Sequence, residues 1–176
     1  VRGVVHRDLK PDNIMLGDFG EVYVLAWGVA KIAGEHDDDF TDVDSSGGSG
    51  EHATQAGTTI GTPGYMAPEQ IRGTTIDGRT DVYTLGCLLF EILAGEPLHP
   101  RGYEGMQSAL FRSGEKPSAR APNRGIPPEL DLLCAQATHA ERELRIRTAR
   151  ELGDRVQEFL DGDRDHATRR TLAKQH

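Results

Sequence analysis

The densest apolar patterning lies in the middle of the chain. From Asp81 to Ala94 hydrophobic positions fall almost all round a helical wheel, interrupted by Glu91, and Gly95 and Pro97 follow. A helix apolar on every side belongs at the centre of a domain, and a glycine with a proline behind it ends one. Weaker helical patterns run from about Glu104 to Arg112, from Pro127-Pro128 with Leu130, Leu133, Cys134 and Ala137 on one stripe, and from near Thr148 with Leu152, Val156, Phe159 and Leu160. Ahead of the central helix the period changes. Ile14-Met15-Leu16 and Val22 to Leu25 are short β-rich runs around Gly17-Asp18-Phe19-Gly20, which predicts a hairpin with those four residues as its turn. Gly34 to Thr59 has almost no apolar residues and predicts a flexible loop over 33–60, of the length that is usually functional or disordered. The fold class is therefore mainly α (α+β), with one short β-hairpin near the N-terminus. Residues 1–162 form the domain, and 163–176 are a polar tail or the start of a helical extension.

Composition narrows the class. At roughly 150 residues per domain, 176 residues make one domain and a tail, and 36% hydrophobic with 27% charged residues suits a globular fold rather than a fibre or a disordered chain. A formal charge of −8 disfavours polyanionic partners, so neither nucleic acid nor a membrane surface is expected to contact this segment. Two cysteines make no disulfide framework and point to a reducing, cytoplasmic setting. Cys87 and Cys134 lie on apolar helical faces as core thiols. No run approaches the roughly 18 apolar residues of a membrane span. With charges at Arg2, Arg7, Asp8 and Lys10 the first residues do not resemble a signal peptide, and the start at Val1 is expected to be that of an excerpt from a longer chain, whose parent could be anchored elsewhere. The histidines show no zinc spacing. An EF-hand frame from Asp42 would need an acid where Ala53 stands, so the acidic run Glu35 to Asp44 is a solvated loop.

The chemistry concentrates in His6-Arg7-Asp8-Leu9-Lys10-Pro11-Asp12-Asn13. A carboxylate, a lysine two residues on and an asparagine five residues on resemble the catalytic loop of protein kinases. Phosphoryl transfer needs an orienting carboxylate, a cation at the moving phosphate and oxygen ligands for Mg²⁺. The resemblance implies that Asp8 orients the acceptor hydroxyl, Lys10 steadies the γ-phosphate and Asn13 binds a metal ion. Lys10 favours the serine/threonine branch. Met15 resembles the residue beneath the adenine ring, or is simple strand packing. Gly61-Thr62-Pro63-Gly64-Tyr65-Met66-Ala67-Pro68-Glu69 is similar to the end of a kinase activation segment, with Thr62 bridging the catalytic Asp and Lys. By the same resemblance Glu69 pairs structurally with Arg145. Asp81 holds the catalytic-loop backbone, its plainer alternative being a helix N-cap. Arg7 and Lys31 are candidates for clamping a phosphate on Thr54, Thr58 or Thr59, or else are solvated charge.

One departure stands out. Asp18-Phe19-Gly20 spells the family's metal-binding triplet, but as a hairpin turn it sits on the order of 15 Å along the strand from Asn13. The returning strand brings residue 26 back beside residues 11–13, so the functional triplet is Ala26-Trp27-Gly28, and Ala26 offers no oxygen to a hard cation. An evolved pseudokinase, an engineered change and a decayed or misread gene all fit. The resemblance covers residues 1 to about 162 and only the C-terminal lobe of the family's fold, of a bacterial type, and no GxGxxG occurs. The expected function is that of a serine/threonine kinase fragment. The intact family uses ATP and Mg²⁺ and acts on protein substrates, while this chain is expected to bind nucleotide poorly and to be inactive. The alternative is a non-catalytic binding or scaffold module that docks peptides or a partner kinase.

Overall fold

A computed structural model describes residues 3–32, 60–112 and 114–175. Two small antiparallel pairs occupy the N-terminal part. Strand β1 (Val4–Val5) pairs with β4 (Lys31–Ile32), setting Val5 opposite Lys31. Strands β2 (Ile14–Leu16) and β3 (Val22–Val24) form the predicted hairpin, in register Ile14 to Val24, Met15 to Tyr23 and Leu16 to Val22. The β1–β4 pair leaves no mark in the sequence pattern, because two-residue strands are too short to carry a period of two.

Helices follow: α1 (Pro68–Ile71), α2 (Gly78–Ala94), α3 (Tyr103–Phe111), α4 (Pro117–Arg120), α5 (Pro128–Ala137) and α6 (Ala149–Gln175). The mostly helical class with a small β part near the N-terminus matches the pattern reading. As its all-round apolarity requires, α2 is the hub, with Val82, Tyr83, Cys87 and Phe90 buried. One cluster on it gathers Tyr65, Ala67, Leu98, Ala109 and Cys134; the other joins Val82 to Leu130, Leu133, Ile146 and Leu152. Gly86 explains how closely α5 can approach: a Cβ there would lie 2.7 Å from the Ala137 methyl and 2.8 Å from Thr138 Cγ2.

Two boundaries differ from the pattern. The central helix begins at Gly78, and its N-cap is Asp77, which accepts a 2.8 Å hydrogen bond from the Arg79 backbone N–H. Asp81, read alternatively as the cap, sits one turn inside and is used elsewhere. The last helix continues through the polar residues to Gln175, so the tail is a helical extension. Without an apolar stripe it offered no amphipathic signal, although its composition permits a helix. No described helix is long and apolar enough to cross a membrane. Most of the predicted flexible loop, residues 33–59, lies outside the described residues.

Candidate functional site

The hairpin register decides what faces the loop at residues 6–13. Gly17 N–H donates to Glu21 O and Gly20 N–H to Gly17 O, so Asp18-Phe19-Gly20 is the turn, and Phe19 is 93% exposed. On the return, Leu25 N–H donates to Asn13 O at 2.8 Å, which sets Ala26 next to the Asn13 loop. Ala26 adopts φ 60° and ψ 54°, a left-handed conformation that disfavours alanine and is met more readily by Gly, Asn or Asp. A one-turn 3-10 helix, Trp27–Val29, follows.

Asp8, Lys10 and Thr62 close into a triangle across more than fifty residues of sequence. The Thr62 hydroxyl donates to Asp8 Oδ1 at 2.6 Å and accepts from Lys10 Nζ at 2.8 Å, while Lys10 Nζ lies 3.3 Å from Asp8 Oδ2. Asn13 Nδ2 donates to the Asp8 carbonyl at 2.8 Å and to Asp8 Oδ2 at 3.2 Å. The carboxylate is thereby aimed, charge-compensated and partly open to solvent. That is a group able to accept a proton from a hydroxyl presented to it, beside an ammonium able to meet developing negative charge.

The loop carrying Asp8 is tied down by its backbone. Successive N–H groups of His6 and Arg7 donate to the two oxygens of Asp81, at 2.7 and 3.0 Å. Arg7 has φ 70°, the turn that lets both amides face one carboxylate. Burial pushes the Asp81 carboxyl above its ordinary range, against the lowering effect of those two amides. His6, buried, receives the Asp8 N–H on Nδ1 and hence donates from Nε2 to Leu25 O at 2.8 Å, joining the loop to the returning strand. The Trp27 ring meets His6 edge-on at 4.7 Å.

The segment bearing Thr62 has its own anchors. Glu69 and Arg145 form a bidentate buried pair at 2.8 and 3.0 Å, with Thr80 donating to Glu69 Oε1 at 2.9 Å. Arg145 also donates to the carbonyls of Arg79, His139 and Ala140 and stacks 5.0 Å over Tyr83. Burial would raise the Glu69 carboxyl, but the Arg145 hydrogen bonds and charge prevail and hold it below its usual range. Gln70 donates to Arg7 O and Ile60 O and accepts from Ala67 N–H. Tyr65 donates to Glu91 at 2.7 Å and receives Arg101 at 2.6 Å; burial, then the Glu91 contact, push its hydroxyl up to about 12.

Five hydrogen-bonding side chains here escaped the sequence reading as partners: His6, Gln70, Thr80, Glu91 and Arg101. Only Gln70 had a local signal, as a Gln at the third position of a helix opening with Pro68. Met15 lies on the hairpin face opposite Ile14 and Leu16, half exposed and paired with Tyr23. Arg7 and Lys31 are both buried, Arg7 Nε donating to Val29 O. Thr54, Thr58 and Thr59 lie outside the described residues. As a magnesium site the set does not fit. Asn13 can offer an amide oxygen, but Ala26 offers a methyl group, and no group of three His, Cys, Asp or Glu forms a metal cage among the described residues.

The protein kinase domain family matches residues 1–156. Serine/threonine-protein kinase PknD of Chlamydia felis is 37% identical over 92% of this chain, and that of Chlamydia caviae 39% identical over 92%. The probable serine/threonine-protein kinase PknB of Bifidobacterium longum is 35% identical over 91%. The chain spans 17% of the length of the two chlamydial relatives and 21% of the third. The chain belongs to the protein kinase family, among the bacterial serine/threonine kinases.

Proposed function

We propose that residues 1–162 are the substrate-side lobe of a serine/threonine kinase, that Asp8, Lys10 and Thr62 form its acceptor site, and that Ala26 leaves this chain without efficient turnover. The hydrogen-bond triangle of those three residues carries the first part. In this reading a Ser or Thr hydroxyl of a protein substrate is presented to the solvent-accessible part of the Asp8 carboxylate and gives up its proton there. Lys10 faces the oxygen charge that develops, and Thr62 keeps the two side chains in register. Asn13 holds Asp8 in place and is the nearest candidate metal ligand. Glu69, Arg145 and Asp81 are structural. In intact relatives ATP with Mg²⁺ supplies the phosphoryl group. Here the position beside Asn13 is Ala26, which has no carboxylate to hold that ion. Residues 1–176 contain no glycine-rich phosphate loop either, so most of the nucleotide's enclosure would have to come from elsewhere. Met15 would meet the adenine. Arg7 and Lys31 would take up a phosphate on Thr54, Thr58 or Thr59 and order the intervening segment.

The same alanine supports a second reading, a non-catalytic module that uses the helical surface to bind a protein partner in the cytoplasm. The assignment of residue 26 to the metal position, on which both readings rest, is tested by Mn²⁺ relaxation of the Asn13 side-chain amide in the whole chain, with Ala26→Asp beside it. The expected result is selective broadening in Ala26→Asp and none in the parent. Equal broadening in both would show that Ala26 is not the missing ligand position, and none in either would remove residue 26 from the metal site.

A further inference from the structure

Helix α6 carries opposite charge in its two halves. Residues 149–163 hold five Asp or Glu against two Arg, and residues 164–175 hold four Lys or Arg against one Asp. The helix dipole favours acids first and bases last, but its effect is spent within the end turns. Glu158, Asp161 and Asp163 lie more than two turns from either end. Asp154 and Glu158, and again Asp161 and Asp165, are like charges at i and i+4, a spacing that weakens the helix bearing them. The acidic stretch is a cost to α6 that cations from another segment would offset.

That stretch borders a groove. About 470 Å³ of open space lies between α5 and α6, with buried Leu133 and half-buried Phe159 at its floor and Leu132, 48% exposed, beside them. The exposed carboxylates of Glu129, Glu158 and Asp163 line its rim. Arg155 also lines it but is committed to Gln136 of α5 at 2.7 Å. At Gly162 the α6 wall falls away, since a Cβ there would meet nothing within 4 Å. An apolar floor inside a ring of carboxylates suits a basic segment with apolar or small residues among its cations.

The chain carries such a segment itself. Leu152, Val156 and Phe159 pack α6 on the body, and the helix then continues through residues 164–175, about 18 Å at 1.5 Å per residue. Arg169 follows Glu158 by eleven positions, which returns to the same side of a helix three turns on. Groove and basic segment therefore belong to one side of one helix, acid first and base after. A helix of this kind is complementary to its own reverse. When two copies cross antiparallel on a two-fold axis between residues 163 and 164, position 158 of each stands opposite 169 of the other, and 163 opposite 164. The symmetry repeats each contact, so one crossing fills both grooves.

We propose that α6 joins two copies of the chain, the basic segment 164–175 of each lying antiparallel along the acidic groove between α5 and α6 of the other. The pairing rests on charge order and groove geometry and is independent of the kinase reading above.

The test is sedimentation velocity of the whole chain, without nucleotide or metal, over a concentration series into the high micromolar range. A monomer–dimer equilibrium is expected whose dissociation constant rises with salt, as contacts between exposed charges require. Glu158→Arg and Arg169→Glu each set like charges against one another at both symmetric contacts and should each weaken the dimer by about tenfold. Mixing the two variants should restore it, because in the mixed pair every 158–169 contact again joins a cation to an anion. Loss of fold in either variant would abolish that rescue rather than imitate it, and circular dichroism of each variant identifies such a loss, in which case Glu158→Lys mixed with Arg169→Asp repeats the test. A chain that stays monomeric throughout the series overturns the proposal. So does association indifferent to salt and to both variants, which would place the contact on another surface, and so does a mixture of folded variants that associates no better than either alone. Because the readout needs no metal, its failure leaves the Mn²⁺ experiment on Asn13 untouched.

Discussion

In the helical body, Tyr83, Phe90, Ala67 and Cys134 have no solvent exposure, and every helix from α2 onward places apolar residues against a neighbour. In residues 3–32, by contrast, Met15, Leu16, Phe19, Val22, Tyr23 and Trp27 are all more than half exposed. The hairpin is apolar on both faces, Ile14, Leu16, Val22 and Val24 on one and Met15 with Tyr23 on the other. Even its inner face stands off, leaving an apolar groove of about 500 Å³ between Ile14 and Leu16, Leu85 and Leu88 of α2, and Leu152 and Val156 of α6. The N-terminal strip keeps its geometry through hydrogen bonds at its base: His6 and Arg7 to Asp81, His6 to Leu25, and Lys10 and Asp8 to Thr62. Burial stabilises the body, and polar ties set the register of the strip. A candidate site that needs oxygen and nitrogen atoms at fixed separations gains more from the second arrangement, at the cost of a lower local stability.

Breaking the body should have the largest effect. Glu69→Ala leaves the Arg145 guanidinium buried without its carboxylate and should lower global stability by about 3–5 kcal/mol in urea unfolding. If the midpoint holds and only amides of residues 3–32 lose exchange protection, the pair belongs to the strip and the contrast is misplaced.

A smaller effect follows acidification. Burial holds the His99 ring down to about 4 from an ordinary 6.5. Between those values the unfolded chain binds the proton and the folded chain does not, so stability is full above about 6.5 and falls as the pH drops toward 4. The loss is on the order of 2–3 kcal/mol over that window. Chemical denaturation at a series of pH values checks it, with His99→Gln expected to flatten the slope. An unchanged slope would assign the acid sensitivity to other groups.

The smallest effect is confined to the strip. Ala26→Gly relieves a left-handed backbone and should raise the local stability of residues 24–30 by on the order of 1 kcal/mol, read by amide exchange. A shift in global midpoint of that size, with no local change, would mean that strip and body open together.

The contrast also explains what the sequence could reveal. Turn chemistry at Gly17 to Gly20 between two apolar runs was enough to place Ala26 rather than Asp18 beside Asn13. A register is a counting problem once the turn is found. The central helix was legible because its apolar positions exceed what one face can use. Its first turn was not, since Gly78 and Arg79 carry no apolar signal and the cap, Asp77, differs from Asp81 only in what its side chain reaches. The ties that hold the site, Gln70 to Arg7 or Tyr65 to Glu91, link residues up to 63 positions apart and leave no local period. Glu69 and Arg145, 76 positions apart, were found by resemblance rather than by pattern.

Both cysteines of the chain, Cys87 and Cys134, are sealed inside the helical body, and burial pushes both thiols up. Alkylating reagents therefore find no thiolate to attack while the body is intact. A maleimide dye would mark only those molecules whose interior has opened, and a single cysteine engineered into the surface would be labelled alone.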